Sequence, residues 1–254
     1  MTAVPDHDRG YRFSDAARME WIKLRTLRST RWTLVATIAC AAGIAVAVGT
    51  NSRDPSSDLT NNILVGIAPG LLLLGILGVL TMTSEYTSGM ILSTLAVVPD
   101  RPRLFTAKAT VFGVAALAVG EAAAFFAFLA GSATLSHGLR TPTLGQPAVL
   151  RAVVLSGVGL SLTGLLGLGL GAILRHSAAA LGVFVCGALL AGQFALAFAP
   201  SVARYVPLGI VANSLAVVTP LHHALSPWAG LGLLSSYTAV ALGAGGWLLT
   251  RRDT

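Results

Sequence analysis

Residues 63–83 read ILVGIAPGLLLLGILGVLTMT, twenty-one positions without a charged side chain. A helix of that length, at about 1.5 Å per residue, matches the roughly 30 Å hydrocarbon core of a bilayer. A barrel strand would alternate apolar and polar residues, and this stretch does not. The same test picks out five more runs: residues 33–49, 106–131, 150–174, 178–199 and 229–249. The expected fold is therefore an all-α integral membrane protein with six transmembrane helices.

Composition supports this class. Of 254 residues, 54% are hydrophobic and only 11% charged, with a mean hydropathy of +0.76. Ordinary soluble domains carry about 25% charged residues, enough to cover an exterior that this chain could not cover. A net charge of +7 would point to nucleic acid in a soluble protein. Here its distribution matters instead, because positive residues collect on the cytoplasmic side of membrane proteins. Six spans divide the 17 Lys and Arg residues into thirteen on one face and four on the other. The richer face holds the leader, the 84–108 loop, the short turn at Arg175 and the C-terminus. Both termini are thus expected in the cytoplasm of a multi-pass cell-membrane protein.

Residues 1–13 are polar and expected to be disordered, and 14–254 form one membrane domain. The first apolar run follows a long polar lead without a small-residue cleavage site, so it is read as a retained span. Residues 14–31, SDAARMEWIKLRTLRSTR, read as a basic amphipathic helix in the headgroup layer. Ser14 or Asp15 caps its start, and Ala17, Trp21 and Leu24 form its apolar stripe. A short tethered leader offers no folded reader of DNA, so nucleic acid is not an expected partner.

Several intramembrane features invite a chemical reading. Glu121 is the one acid deep inside a span, where an ionised carboxylate costs about 2.5–3.5 kcal/mol on insertion scales. It serves either as a proton or cargo contact or as an interhelical hydrogen-bonding group. Gln193, with Phe194 and Phe198, joins it as a candidate polar site facing a transport path. Gly157/Ser161, Gly167/Gly171 and Gly66/Gly70 have the spacing that brings helices close. Pro200, Pro207, Pro220 and Pro227 break the run after 199 into short helical pieces on the outer face.

Metal and catalytic signals are weak. His222 and His223 are neighbours that diverge by about 100° on a helix and seldom chelate one ion. Cys40 and Cys186 lie in apolar runs and are read as buried small hydrophobes. No G-x-x-x-x-G-K-[ST] occurs, and the only lysines are Lys23 and Lys108. The chain therefore has no P-loop lysine of its own and is not read as an enzyme.

The loop after the opening stretch, residues 84–108, is SEYTSGMILSTLAVVPDRPRLFTAK. A helix over 85–98 would be about 21 Å long, ended by Pro99 and held at the anionic inner leaflet by Arg101, Arg103 and Lys108. Glu85, Gly89, Thr94-Leu95, Pro99, Arg101, Arg103 and Lys108 resemble the pattern of the membrane-spanning subunit of type-2 ATP-binding-cassette (ABC) exporters. Glu20 and Lys23, followed by Arg31, resemble the amphipathic elbow helix of that family. Met90 and Asp100 depart from it, standing where Thr and a basic residue are frequent.

The resemblance implies that 84–108 carries a cytoplasmic coupling helix docking on a separate ATPase subunit, with Glu85, Gly89, Thr94, Pro99, Arg101 and Arg103 as the coupling residues. It further implies a second membrane subunit, as in a homodimer, with spans two and five lining a central path. ATP and Mg would sit on the partner ATPase, and this chain would hold no cofactor. The expected cargo is a hydrophobic or amphipathic small molecule or lipid-like compound. Two other readings stay open: a proton-coupled secondary carrier using Glu121, and a non-transporting membrane scaffold.

Overall fold

A computed structural model of the chain describes residues 12–53, 58–91, 94, 100–135, 141–214 and 225–251. All regular structure among these residues is helical. Five helical stretches are long and apolar enough to cross a membrane. The amphipathic helix α1 (Phe13–Thr26) leads into the first of them, α2 (Arg28–Asn51). The second comprises α3 (Leu59–Leu64), a 3-10 turn at Val65–Ile67, and α4 (Ala68–Thr87). Pro69 in the first turn of α4 explains the tightened segment before it, since proline has no N–H to continue the α ladder. The others are α5 (Arg101–Ala133), α6 (Pro147–Leu174) and α11 (Pro227–Arg251).

The sequence expectation of a span over 178–199 meets a more complicated element. Residues Ser177–Phe198 are helical throughout but form three pieces: α7 (Ser177–Phe184), a π-helical segment at Val185–Leu190 and α8 (Ala191–Phe198). Beyond it come α9 (Pro200–Ala203) and α10 (Pro207–Ser214). Pro200, Pro207 and Pro227 each open a helix, where the missing N–H costs nothing. Pro220, His222 and His223 lie outside the described residues.

Helix α6 is the centre of the bundle. Of its most apolar window, 72% is buried, against 22% for α2 and for α11. It packs on α4, α5 and α11, while α2 lies against α5 and α4. Apolar attraction between helices is weak in lipid, so close packing has to come from shape. Small residues supply that shape. A Cβ on Gly171 would sit 2.9 Å from the Val79 carbonyl oxygen, and one on Gly167 would overlap the Gly75 carbonyl. From the other side, a Cβ on Gly78 would overlap the Gly164 carbonyl. Hydrogen bonds from Ser161 Oγ to the Gly113 carbonyl (3.3 Å) and from Thr238 Oγ1 to the Leu162 carbonyl (3.1 Å) tie α6 to α5 and α11.

Three expectations are corrected. Cys40 and Cys186 are exposed on the outer surface of the bundle, because α2 and the 177–198 run each turn only one face inward. The amphipathic helix ends at Thr26 rather than Arg31: Leu27 is extended (φ −70°, ψ 117°), and Arg28–Arg31 belong to α2. The helix also begins a residue early, at Phe13. Asp15 acts from inside its first turn, accepting a hydrogen bond from the Arg12 N–H (3.2 Å), and so is not the cap residue itself.

Candidate functional site

Burial of α1 runs against its apolar stripe. Ala16 and Glu20 are the residues it buries, while Trp21 and Ile22 are about half exposed. Of the expected stripe, Trp21 is half exposed, Ala17 partly buried and Leu24 packed partly on the core, while the Glu20 carboxylate points in. Lys23, three residues after Glu20 and on the same face of the helix, points in with it.

Two other helices meet this pair. Glu85 lies in the last turn of α4 and Lys108 in the second turn of α5. Lys23 Nζ donates to Glu20 Oε1 at 3.0 Å and to Glu85 Oε1 at 2.8 Å. Lys108 Nζ donates to Glu20 Oε2 at 2.6 Å and to the same Glu85 oxygen at 2.8 Å. Each lysine thus bridges both carboxylates, and the formal charges cancel. Side-chain exposure is 3% for Glu20 and Lys108, 6% for Glu85 and 24% for Lys23. The second Glu85 oxygen, Oε2, is buried without a hydrogen-bond partner among the described residues.

Burial of the Lys23 ammonium opposes its charge. Glu20 and Glu85 more than offset this and hold its pKa above the ordinary lysine value. Such a cluster says little about net stability, because desolvating four charges costs about as much as their attraction returns. Removing one member is different: it strands an uncompensated charge in the interior.

The arginines of the same end serve the backbone. Arg101 donates to the Leu249 carbonyl and Arg175 to the Leu248 carbonyl, each at 3.2 Å. These carbonyls belong to the last turn of α11, where intrahelical donors run out and the helix dipole favours cations. Arg175 also lies 5.1 Å from the centre of the Tyr86 ring, next to Glu85. Ends of α4, α6 and α11, the second half of α1 and the start of α5 therefore share one charged layer.

The 84–108 stretch is rearranged relative to its sequence reading. Glu85–Thr87 continue α4, so the expected helix over 85–98 is interrupted near its start. The break falls at Ser88–Gly89, where Gly89 adopts φ +70°, a left-handed conformation that L side chains rarely take. Beyond it Met90 is half exposed and Thr94 is buried. Leu95 and Pro99 lie outside the described residues. Asp100, one of the two departures from the family pattern, caps α5: its side chain accepts the Arg103 N–H at 3.1 Å and pairs with the Arg103 guanidinium at 3.2 Å.

Sequence reasoning placed Glu85 and Arg101 among the coupling residues; both side chains make contacts inside the protein. It quoted Glu20, Lys23 and Lys108 without placing them in a site. The available signal was that Lys23 and Lys108 are the only lysines in the chain. Glu121 is not brought into this layer. Its carboxyl packs over Gly157, whose Cβ would sit 2.5 Å from Glu121 Cδ, and it has no hydrogen bond to a described residue. The Gln193 side chain lies outside the described residues. Phe194 and Phe198 stack with ring centres 6.4 Å apart and are exposed.

Compared with known proteins, the chain matches no protein-family model and no curated protein.

Proposed function

We propose that the chain is the membrane subunit of a type-2 ABC exporter, working with a separate cytoplasmic ATPase that holds ATP and Mg. One observation carries this reading. Glu20, Lys23, Glu85 and Lys108, the residues of the sequence resemblance that lie farthest apart, converge on one ion-pair cluster at the root of the 88–100 segment. A segment anchored in this way at the end of two spanning helices is suited to receive force from a docked partner.

In this reading α1 is the elbow helix and the 88–100 segment is the coupling element. The run Ser177–Phe198, about 33 Å long at 1.5 Å per residue, crosses as a sixth span. Its neighbours support that: α6 and α11 both end in the charged layer, so the chain between Arg175 and Pro227 has to reach the far end of the bundle, from which α11 returns. Both termini then lie in the cytoplasm, in keeping with the charge bias. Two copies enclose the path, and an amphipathic or lipid-like small molecule leaves the cell through it. Glu121 supports the carrier alternative, as an acid on a spanning helix without a hydrogen-bond partner among the described residues. A carrier would transport without any ATPase and would follow the proton gradient.

The test is co-purification with a P-loop ATPase encoded beside this chain. Met90 is half exposed beyond the Gly89 turn, so Met90→Glu is expected to abolish ATPase binding while leaving the membrane protein folded. Binding that survives Met90→Glu would remove this segment from the interface. Transport in vesicles lacking the ATPase would remove the exporter reading.

A further inference from the structure

We infer that Glu20, Lys23, Glu85 and Lys108 are positioning residues that lock α1 to the end of α4 and the start of α5, so that the three move as one body. The inference rests on the exporter reading only for where the force comes from.

Few other contacts hold α1. Of its apolar residues only Ala16 is fully buried; Leu24 packs partly on the core, and Phe13, Trp21 and Ile22 are exposed. Apolar contact from α1 is thus limited to Ala16 and to the partly buried Ala17, Met19 and Leu24. Leu27 breaks the helical backbone before α2, so α1 is not held rigidly from that side either. The charge cluster adds bonds from Glu20 and Lys23 to both α4 and α5.

The cluster is also closed on itself. Glu20 and Lys23 lie one turn apart on α1, and each bonds across to another helix: Glu20 to Lys108 of α5, and Lys23 to Glu85 of α4. Lys108 also bonds to Glu85, closing the ring between α4 and α5. No single pair can part without leaving a buried charge short of a partner, so α1 cannot rock away from either helix alone. Arg101 fixes the other root of the 88–100 segment to α11. A push on that segment is thereby delivered to α1 and to three spanning helices together.

The cluster is specific in register as well. An apolar seam tolerates sliding, whereas four point charges in a closed ring satisfy one register. Exposed Trp21 and Ile22 then face away from the bundle, toward the membrane interface.

The test uses the full chain in bilayers, with Cys40 and Cys186 replaced by alanine and spin labels at two exposed positions, Arg18 on α1 and Thr106 on α5. The parent is expected to give one narrow distance. Lys108→Met is expected to lose it and give a broad distribution, while Lys108→Arg, which keeps the charge, is expected to retain it. Should Lys108→Met fail to fold, Glu20→Gln opens the ring from the α1 side and is expected to broaden the distance in the same way. A narrow distance in the charge-removing variant would overturn the inference. So would broadening as large in Lys108→Arg as in Lys108→Met, because shape rather than charge would then hold α1. No ATPase is needed for this measurement, so its result stands independently of the co-purification experiment.

Discussion

The α4–α6 seam and the α1–α4–α5 charge cluster both bring helices together, by opposite means. In the seam, glycines remove side chains so that backbones touch, and the result depends on shape alone. In the cluster, four long side chains meet at four hydrogen bonds, and the result depends on which charge faces which. The seam fixes how near two helices come. The cluster fixes which segments belong together, including one whose apolar contact is limited to a few residues.

The contrast is tested most severely by taking away one charge. Lys108→Met keeps the volume but leaves two buried carboxylates sharing Lys23. We expect a loss of about 3–5 kcal/mol in thermal or denaturant unfolding of the protein in detergent. Replacing all four members with apolar residues of similar size is expected to be near neutral for stability, while α1 loses its fixed position. If the fourfold variant were as unstable as Lys108→Met, the cluster would be a simple source of stability and the contrast would fail.

A smaller effect is expected in the seam. Gly78→Ala places a methyl group against the Gly164 carbonyl, and the helices have to separate to admit it. The expected cost is about 1–3 kcal/mol, as for other overpacked interiors, with the α1 label distance unchanged. A shift of α1 in this variant would mean that seam and cluster are not independent.

The smallest effect concerns pH. The folded-state pKa of Lys23 is raised above its ordinary value. Its contribution is therefore fully present below the unfolded lysine pKa and is lost as pH rises through the higher folded one. Stability should fall in this alkaline range, and Lys23→Met should remove that part of the fall. An unchanged alkaline profile in Lys23→Met would show that Lys23 is not linked to folding.

These two regions were unequally legible in sequence. Long apolar runs gave five of the spanning helices within a few residues, since length and hydropathy are local properties. The run over 178–199 was found as apolar, but not its π-helical segment, which depends on backbone hydrogen bonding that composition does not encode. The small-residue spacings at Gly167 and Gly171 correctly marked a close approach. That Glu20 turns inward was not legible, because its partner Lys108 is 88 positions away. Periodicity places Trp21 on the apolar stripe of a helix in the headgroup layer; only the assembled bundle shows that Glu20 has buried partners. Asp100 looked like a departure from pattern, and its role as a helix cap emerges from the Arg103 backbone N–H it accepts.

Lys23 and Lys108 are the only side-chain amines in the protein, which makes the cluster directly readable. Native protein in bilayers can be treated with a water-soluble amine-reactive ester and each lysine followed by mass spectrometry. With 24% of the Lys23 side chain exposed and 3% of Lys108, Lys23 should react well ahead of Lys108, and Lys108 should react only once the protein is unfolded. Equal labelling of the two lysines in the folded protein would contradict the closed cluster on which the account depends.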